Sequence, residues 1–135
     1  METRIRRFKE SDVYYPVEIL KANGQYDYPA IEGPKAMKRV ASCEAVVFLF
    51  AETEGETCGS VRAVYGGFRA LIHLLSVHPD HQGRGIGSAL VDAACAEPSR
   101  RGGPTVSATV NEQSFSFWEK MGFRRPKPFS CLKKI

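Results

Sequence analysis

The chain has 135 residues, 43% of them hydrophobic and 25% charged, the balance of an ordinary globular protein with one sizeable core. Its longest unbroken apolar run, Ala45–Ala51, is far below the ~18 residues that a membrane-spanning helix requires, and its charged start, METRIRRFKE, lacks the apolar stretch of a signal peptide. A net charge of +4, from 19 Lys and Arg against 15 Asp and Glu, suits a polyanionic ligand but is too mild and too dispersed to argue for nucleic acid.

The chain reads as one domain over residues 1–135, with no repeat, low-complexity tract or linker. Thr3–Lys9 alternates and predicts a first strand. Ser11 or Asp12 then offers an N-cap for a helix over Asp12–Ala22, with Val13, Val17 and Leu20 on one face and Asn23-Gly24 as its stop. Residues 25–33 read as a loop, and Pro34 opens a second short helix that runs to Cys43. Three strands follow: Glu44–Thr53, then Thr57–Tyr65, then Phe68–Val77 after a two-residue turn at Gly66-Gly67. Pro79, which has no N–H for the ladder, ends the third.

Next comes SVHPDHQGRGIGSAL, three glycines opening into a helix with Ile86, Ala89, Leu90 and Ala93 at helical spacing. Pro98 is expected to end or kink that helix. Thr105–Val110 alternates as another strand. Asn111 caps a helix carrying Phe115, Trp118 and Met121, Gly122 ends it, and the tail Phe123–Ile135 is expected to hold one or two closing strands. The order β-α-α-β-β-β-α-β-α-β is a mixed α/β fold, antiparallel in its front half with a crossover at the glycine loop. Cys43, Cys58, Cys95 and Cys131 show no CxxC or Cys/His spacing, so they read as reduced thiols of a cytoplasmic protein without a metal site.

A glycine loop at the start of a helix binds phosphate, because the first N–H groups lack partners and carry the positive end of the dipole. Gly83, Gly85 and Gly87 also let the backbone approach closely. A dinucleotide does not fit the pattern. Ser88 stands where G-x-G-x-x-G has its last glycine, and about five residues separate strand from loop. No acid lies ~20 residues on to hold a ribose. A nucleoside triphosphate does not fit either, because there is no G-K-[ST].

Ser76–Ala94 resembles the V-x-P-x-x-[RQ]-x-x-G-x-[GA] signature of the general N-acetyltransferase (GNAT) superfamily, with Val77, Pro79, Gln82, Gly85 and Gly87 at its positions. Asn111–Phe123, NEQSFSFWEKMGF, resembles that family's second signature, N-x-x-[AS]-x-x-[FL]-[YW]-x-K-x-G-F. The resemblance spans essentially the whole chain. It implies a GNAT fold of α+β type: a mixed, mostly antiparallel central sheet, a β-bulge or splay between the fourth and fifth strands, and about four helices. It implies acetyl-CoA as cofactor and CoA as product. The N–H groups of Gly83, Arg84, Gly85, Ile86, Gly87 and Ser88, with Gln82 beside them, would cradle the pyrophosphate. Leu75, Ser76 and Val77 would expose their backbone to the pantetheine arm, and Asn111, Ser114, Phe117 and Trp118 would face the thiol end.

The implied reaction is direct transfer of acetyl to a primary amine of a small molecule or peptide through a ternary complex. It needs a neutral amine, an oxyanion donor and a proton for the thiolate. The backbone N–H of Leu75 is the implied oxyanion donor. Where many members have a tyrosine as proton donor, this chain has Trp118, whose indole is far too weak an acid. Either Trp118 only shapes the pocket, or the proton comes from water, Ser116 or the incoming ammonium. His73 is the candidate base, four residues before Val77 and so expected on the same face; a histidine packed in the sheet has the same spacing. Tyr14, Tyr26 and Tyr28 lie where the fold covers the acceptor and could hold an ammonium. No membrane or nucleic-acid partner is expected, and a homodimer is compatible. Two other readings stay open: a non-catalytic acetyl-CoA-binding regulatory domain, and a small basic nucleic-acid-binding module, which leaves the paired motifs unexplained.

Overall fold

A computed structural model of the chain describes residues 2–128 and 131–135. Five strands form one sheet in the order β1 (Thr3–Arg7), β2 (Val46–Thr53), β3 (Glu56–Tyr65), β4 (Ala70–Val77), β5 (Val106–Ala108). The first four run antiparallel. β5 is parallel to β4, and the crossover between them is the long helix α4 (Ile86–Arg100). The sheet is the mixed, mostly antiparallel one expected. Each face is covered because β2 and β3 are apolar on both sides. On one face α4 buries Leu90, Val91 and Ala94 against Leu49, Val61, Ala63 and Ile72, and Trp118 of α5 (Phe115–Lys120) closes this core. On the other, α1 (Tyr15–Ala22) and α3 (Pro34–Ala41) set Val17, Leu20 and Met37 on Phe48 and Phe50.

The boundaries depart from the sequence reading in five places. Asp12 does not cap α1. Its carboxylate accepts the Lys9 N–H and pairs with Arg6, so residues 10–13 form a separate 3-10 turn. The stretch expected to be all loop holds a one-turn helix, α2 (Pro29–Glu32). β3 and β4 are joined by four residues, 66–69, since Tyr65 pairs with Ala70. Pro98 neither ends nor breaks α4: it sits in the last turns, where its missing N–H costs one bond, and its ring is buried. The Gly103 N–H, 2.8 Å from the Pro98 carbonyl, then helps close the helix end. No strand follows β5 among the described residues, so the expected closing strands are absent from them; residues 129 and 130 lie outside the described residues.

Two features of β4 position the site. The register with β3 slips between Arg62 and Ala63: Arg62 faces Leu74 and Ala63 faces Ile72, leaving His73 as a bulge with no partner. The parallel ladder with β5 ends at the same point, with Thr109 donating to the Ile72 carbonyl at 3.1 Å. Beyond His73 the two strands part, which is also why β5 is shorter than its alternating sequence.

Candidate active site

The gap between β4 and β5 opens a cleft of ≈ 600 Å³. One wall is β4 from His73 to Val77. The His78 N–H donates to Cys58 on β3 at 2.7 Å, so alternation turns the polar backbone of Leu75 and Val77 away from β3 and into the gap. Their carbonyls are already engaged. Asn23 and Gln82 donate to Val77 O at 2.8 and 3.0 Å, and Gln25 to Leu75 O at 3.4 Å. Ser76, buried, ties the same group together by donating to Gln25 Oε1 at 2.7 Å and accepting from Asn23 at 2.8 Å. What these strand residues offer the cleft is therefore N–H rather than C=O. The sequence reading had the whole backbone free.

The second wall is the start of α4. Gly85, the residue before it, holds φ +81°, a left-handed conformation that strains any side chain, and no side chain caps the helix. The first-turn N–H groups therefore reach the cleft unfilled. A Cβ at Gly87 would lie 3.4 Å from the Phe117 ring, an ordinary contact, so the starts of α4 and α5 lie side by side here. Asn111 supplies the third side. Its Oδ1 accepts the Ser114 N–H at 2.9 Å, so it is the cap expected, and it lines the cleft as well. Trp118 is buried between the rings of Phe117 and Phe123 at 5.3 and 5.1 Å, edge-on to both.

The cleft brings together His73, Leu75, Ser76, Val77, Gln82, Gly83, Gly85, Ile86, Gly87, Ser88, Asn111, Ser114, Phe117 and Trp118. Arg84, between two lining glycines, is not itself part of the lining. Neither is Ser116, which is exposed on α5. The three tyrosines also lie outside the lining. Tyr14 and Tyr28 are exposed, and Tyr26 packs on the core of the α1–α3 face with Lys21 over its ring.

His73 lines the cleft at the point where the alternation of β4 is interrupted. Counting by twos from Val77 fails at the bulge: Leu75 and Val77 pack toward α4, whereas Leu74 joins the α1–α3 side. Partial burial, and then the positive charge of Arg62, push the His73 imidazole below its ordinary value.

Asn23 and Gln25 are cleft residues that sequence reasoning passed over, because Asn23 reads as a helix stop and its partners lie more than 50 positions away. Arg62 is another. It is 8% exposed in the middle of β3, its Nε and Nη2 have no hydrogen-bond partner, and its Cζ lies 5.4 Å from the Phe48 ring centroid. A charge between Val61 and Ala63, in the apolar half of the strand, was the signal that could have found it. His81 also lines the cleft, with a buried Nδ1 that has no partner. Among the described residues no three His, Cys, Asp or Glu side chains group as a metal ion would require, and no helix is long and apolar enough to cross a membrane.

Residues 15–123 match the model of the acetyltransferase (GNAT) family. An acetyltransferase of Sodalis glossinidius, SG1711, is 38% identical over 91 residues, which cover 65% of this chain; the match spans 64% of that relative's length. Among solved structures, the PaiA N-acetyltransferase of Thermoplasma acidophilum in complex with coenzyme A superposes with a TM-score of 0.85 at 19% identity, over 96% of this chain and 94% of that one. A transcriptional regulator from Bacillus halodurans gives 0.83 at 22% identity, over 99% of each chain. At these identities the two structures speak to the fold.

Proposed function

The chain belongs to the acetyltransferase (GNAT) family, whose acetyl donor is acetyl-CoA, and on that premise we propose that it moves acetyl directly to a primary amine held in the same complex. The observation that carries the proposal is the β4–β5 gap, which leads from an uncapped, glycine-built helix start to a bulged histidine.

The residues suit the donor. The first-turn N–H groups of α4, with Gly83 and Gly85 open where a Cβ would stand, receive its pyrophosphate. His81 and Gln82 flank that site. Leu75 and Val77 present N–H groups to its arm as a strand edge would. Phe117, Trp118, Asn111 and Ser114 enclose the end where transfer occurs. Acetyl-CoA supplies an acyl thioester, a group that an uncharged amine attacks without metal or covalent help.

The chain has to do three things. It must strip a proton from the ammonium, and His73 is placed and poised for that, because its lowered pKa keeps the ring neutral around pH 7. It must stabilise charge growing on the acetyl oxygen, for which the Leu75 N–H is the donor. It must protonate the leaving sulfur. Trp118 cannot, and Ser116 does not line the cleft. The nitrogen's second proton, made acidic as the C–N bond forms, goes to sulfur either directly or through water.

A thiol-release assay with acetyl-CoA over a panel of amines, with mass spectrometry of the product, tests the reading. Release that depends on the amine and yields the N-acetyl product is the expected outcome. Tight acetyl-CoA binding with no transfer to any amine would instead leave a cofactor-binding regulatory domain.

A further inference from the structure

Two arginines lie on the α1–α3 face of the sheet, Arg62 buried and Arg6 half-buried, and they differ in one respect. Arg6 is fully engaged: Nη1 and Nη2 donate to Asp12 at 2.8 Å each, and Nε pairs with Glu52. Arg62, 8% exposed, has neither Nε nor Nη2 bonded to anything. These two groups lie on the same edge of a guanidinium, the edge that grips a carboxylate with two parallel N–H···O bonds. Among the described residues no acceptor completes it. Glu32 attracts Arg62 only from a distance, its carboxylate accepting the Tyr28 N–H at 3.0 Å instead. The Phe48 ring offers a π-face, not an acceptor. A buried charge without a hydrogen-bonding partner opposes folding, so its retention calls for an explanation, and a ligand that completes the bonds is one.

Its position is informative. Arg62 pairs in register with Leu74, beside the bulged His73, and His73 feels its charge. The unmade bonds therefore lie next to the group proposed to take the amine's proton, on the side away from the glycine loop. We propose that Arg62 receives the carboxylate of the acceptor, so that the amine acetylated here belongs to a molecule of the amino acid type, carrying amine and carboxylate together. The inference rests on the reading of the cleft as an acetyl-transfer site. Nε and Nη2 are closed off in the ligand-free chain, so entry requires the cover over this face to shift. Glu32, whose charge acts on Arg62, belongs to α2, and no residue of that one-turn helix is buried, so little packing holds this part of the face in place.

The test uses the full chain with acetyl-CoA and acceptors in matched pairs, each amino acid beside its decarboxylated counterpart: phenylalanine with phenethylamine, lysine with cadaverine. The amino acid of each pair should have a kcat/KM at least ~10-fold higher. In Arg62→Met that ratio should fall to about 1, with Arg62→Lys between. Calorimetric titration of the CoA-loaded chain with the same compounds separates the two claims. Amino acid binding that Arg62→Met abolishes, without any transfer, would uphold the carboxylate site and remove the proposed reaction. Equal transfer to both members of each pair would overturn the carboxylate site and leave the reaction standing. Because Arg62→Met removes an unpaired buried charge, its Tm should hold or rise. A lower Tm with an unchanged pair ratio would assign Arg62 to the fold alone and overturn the proposal.

Discussion

His73 is where one residue carries the most consequence. Burial and the Arg62 charge lower its pKa, so its neutral, proton-accepting form persists to a more acid pH than the ordinary value of 6.5. The acid limb of kcat/KM should therefore lie below that value and rise as pH rises through it. His73→Ala should lower kcat at neutral pH by about 10²-fold or more and flatten that limb, as expected for a general base. Steady-state kinetics across pH checks both; an unchanged profile in the variant would remove His73 from the chemistry. The residue itself was legible in the sequence as a histidine on the cofactor strand. Its orientation was not, because a bulge is a mismatch between two strands and only one of them is visible in a local pattern.

Among the elements, α4 against the sheet decides how the cleft is held. The helix approaches β3 closely at Gly59, where an added Cβ would lie 3.0 Å from the Ser76 carbonyl and 3.1 Å from Leu90 Cδ1. One of those neighbours is backbone on the cleft strand, so the crowding cannot be relieved by a rotamer change alone. Gly59→Ala should cost about 1–3 kcal/mol, the usual penalty for overpacking, measurable by denaturant unfolding. It should also weaken acetyl-CoA binding, since the displaced strand carries Leu75 and Val77. The extent of α4 shows how an element can be misread. Proline disfavours a helix interior, but one lost bond near the C-terminus is a small term beside burial of the ring. β5 is misread in the opposite sense: its six alternating residues pair for only three, because β4 turns away.

The whole molecule is pinned at its far edge by Arg6, which joins β1, β2 and the turn at residues 10–13 through Glu52 and Asp12. Arg6→Ala would leave Asp12, 4% exposed, as a buried charge without its partner, and should cost about 3 kcal/mol. The same cluster sets a pH dependence. Arg6 holds the Glu52 carboxyl below its ordinary 4.5, so the pair's contribution is complete above that value and fades as pH falls through the lower, folded-state one. The gap in Tm between the native chain and Glu52→Gln should accordingly be constant near pH 7 and close in acid. Composition, the two signatures and the periodicity of the strands determined by themselves the family, the donor and the order of the five strands, because those depend on local sequence: glycines that free a backbone, a helix start that binds phosphate, alternation that makes a strand. Only the tertiary structure decided which way His73 faces, that Asn23 and Gln25 occupy the carbonyls of the cofactor strand, that Ser116 and the tyrosines stand outside the cleft, and that Arg62 is buried without a partner. Each of these is a relation between residues distant in the chain, set by packing that local pattern alone does not fix.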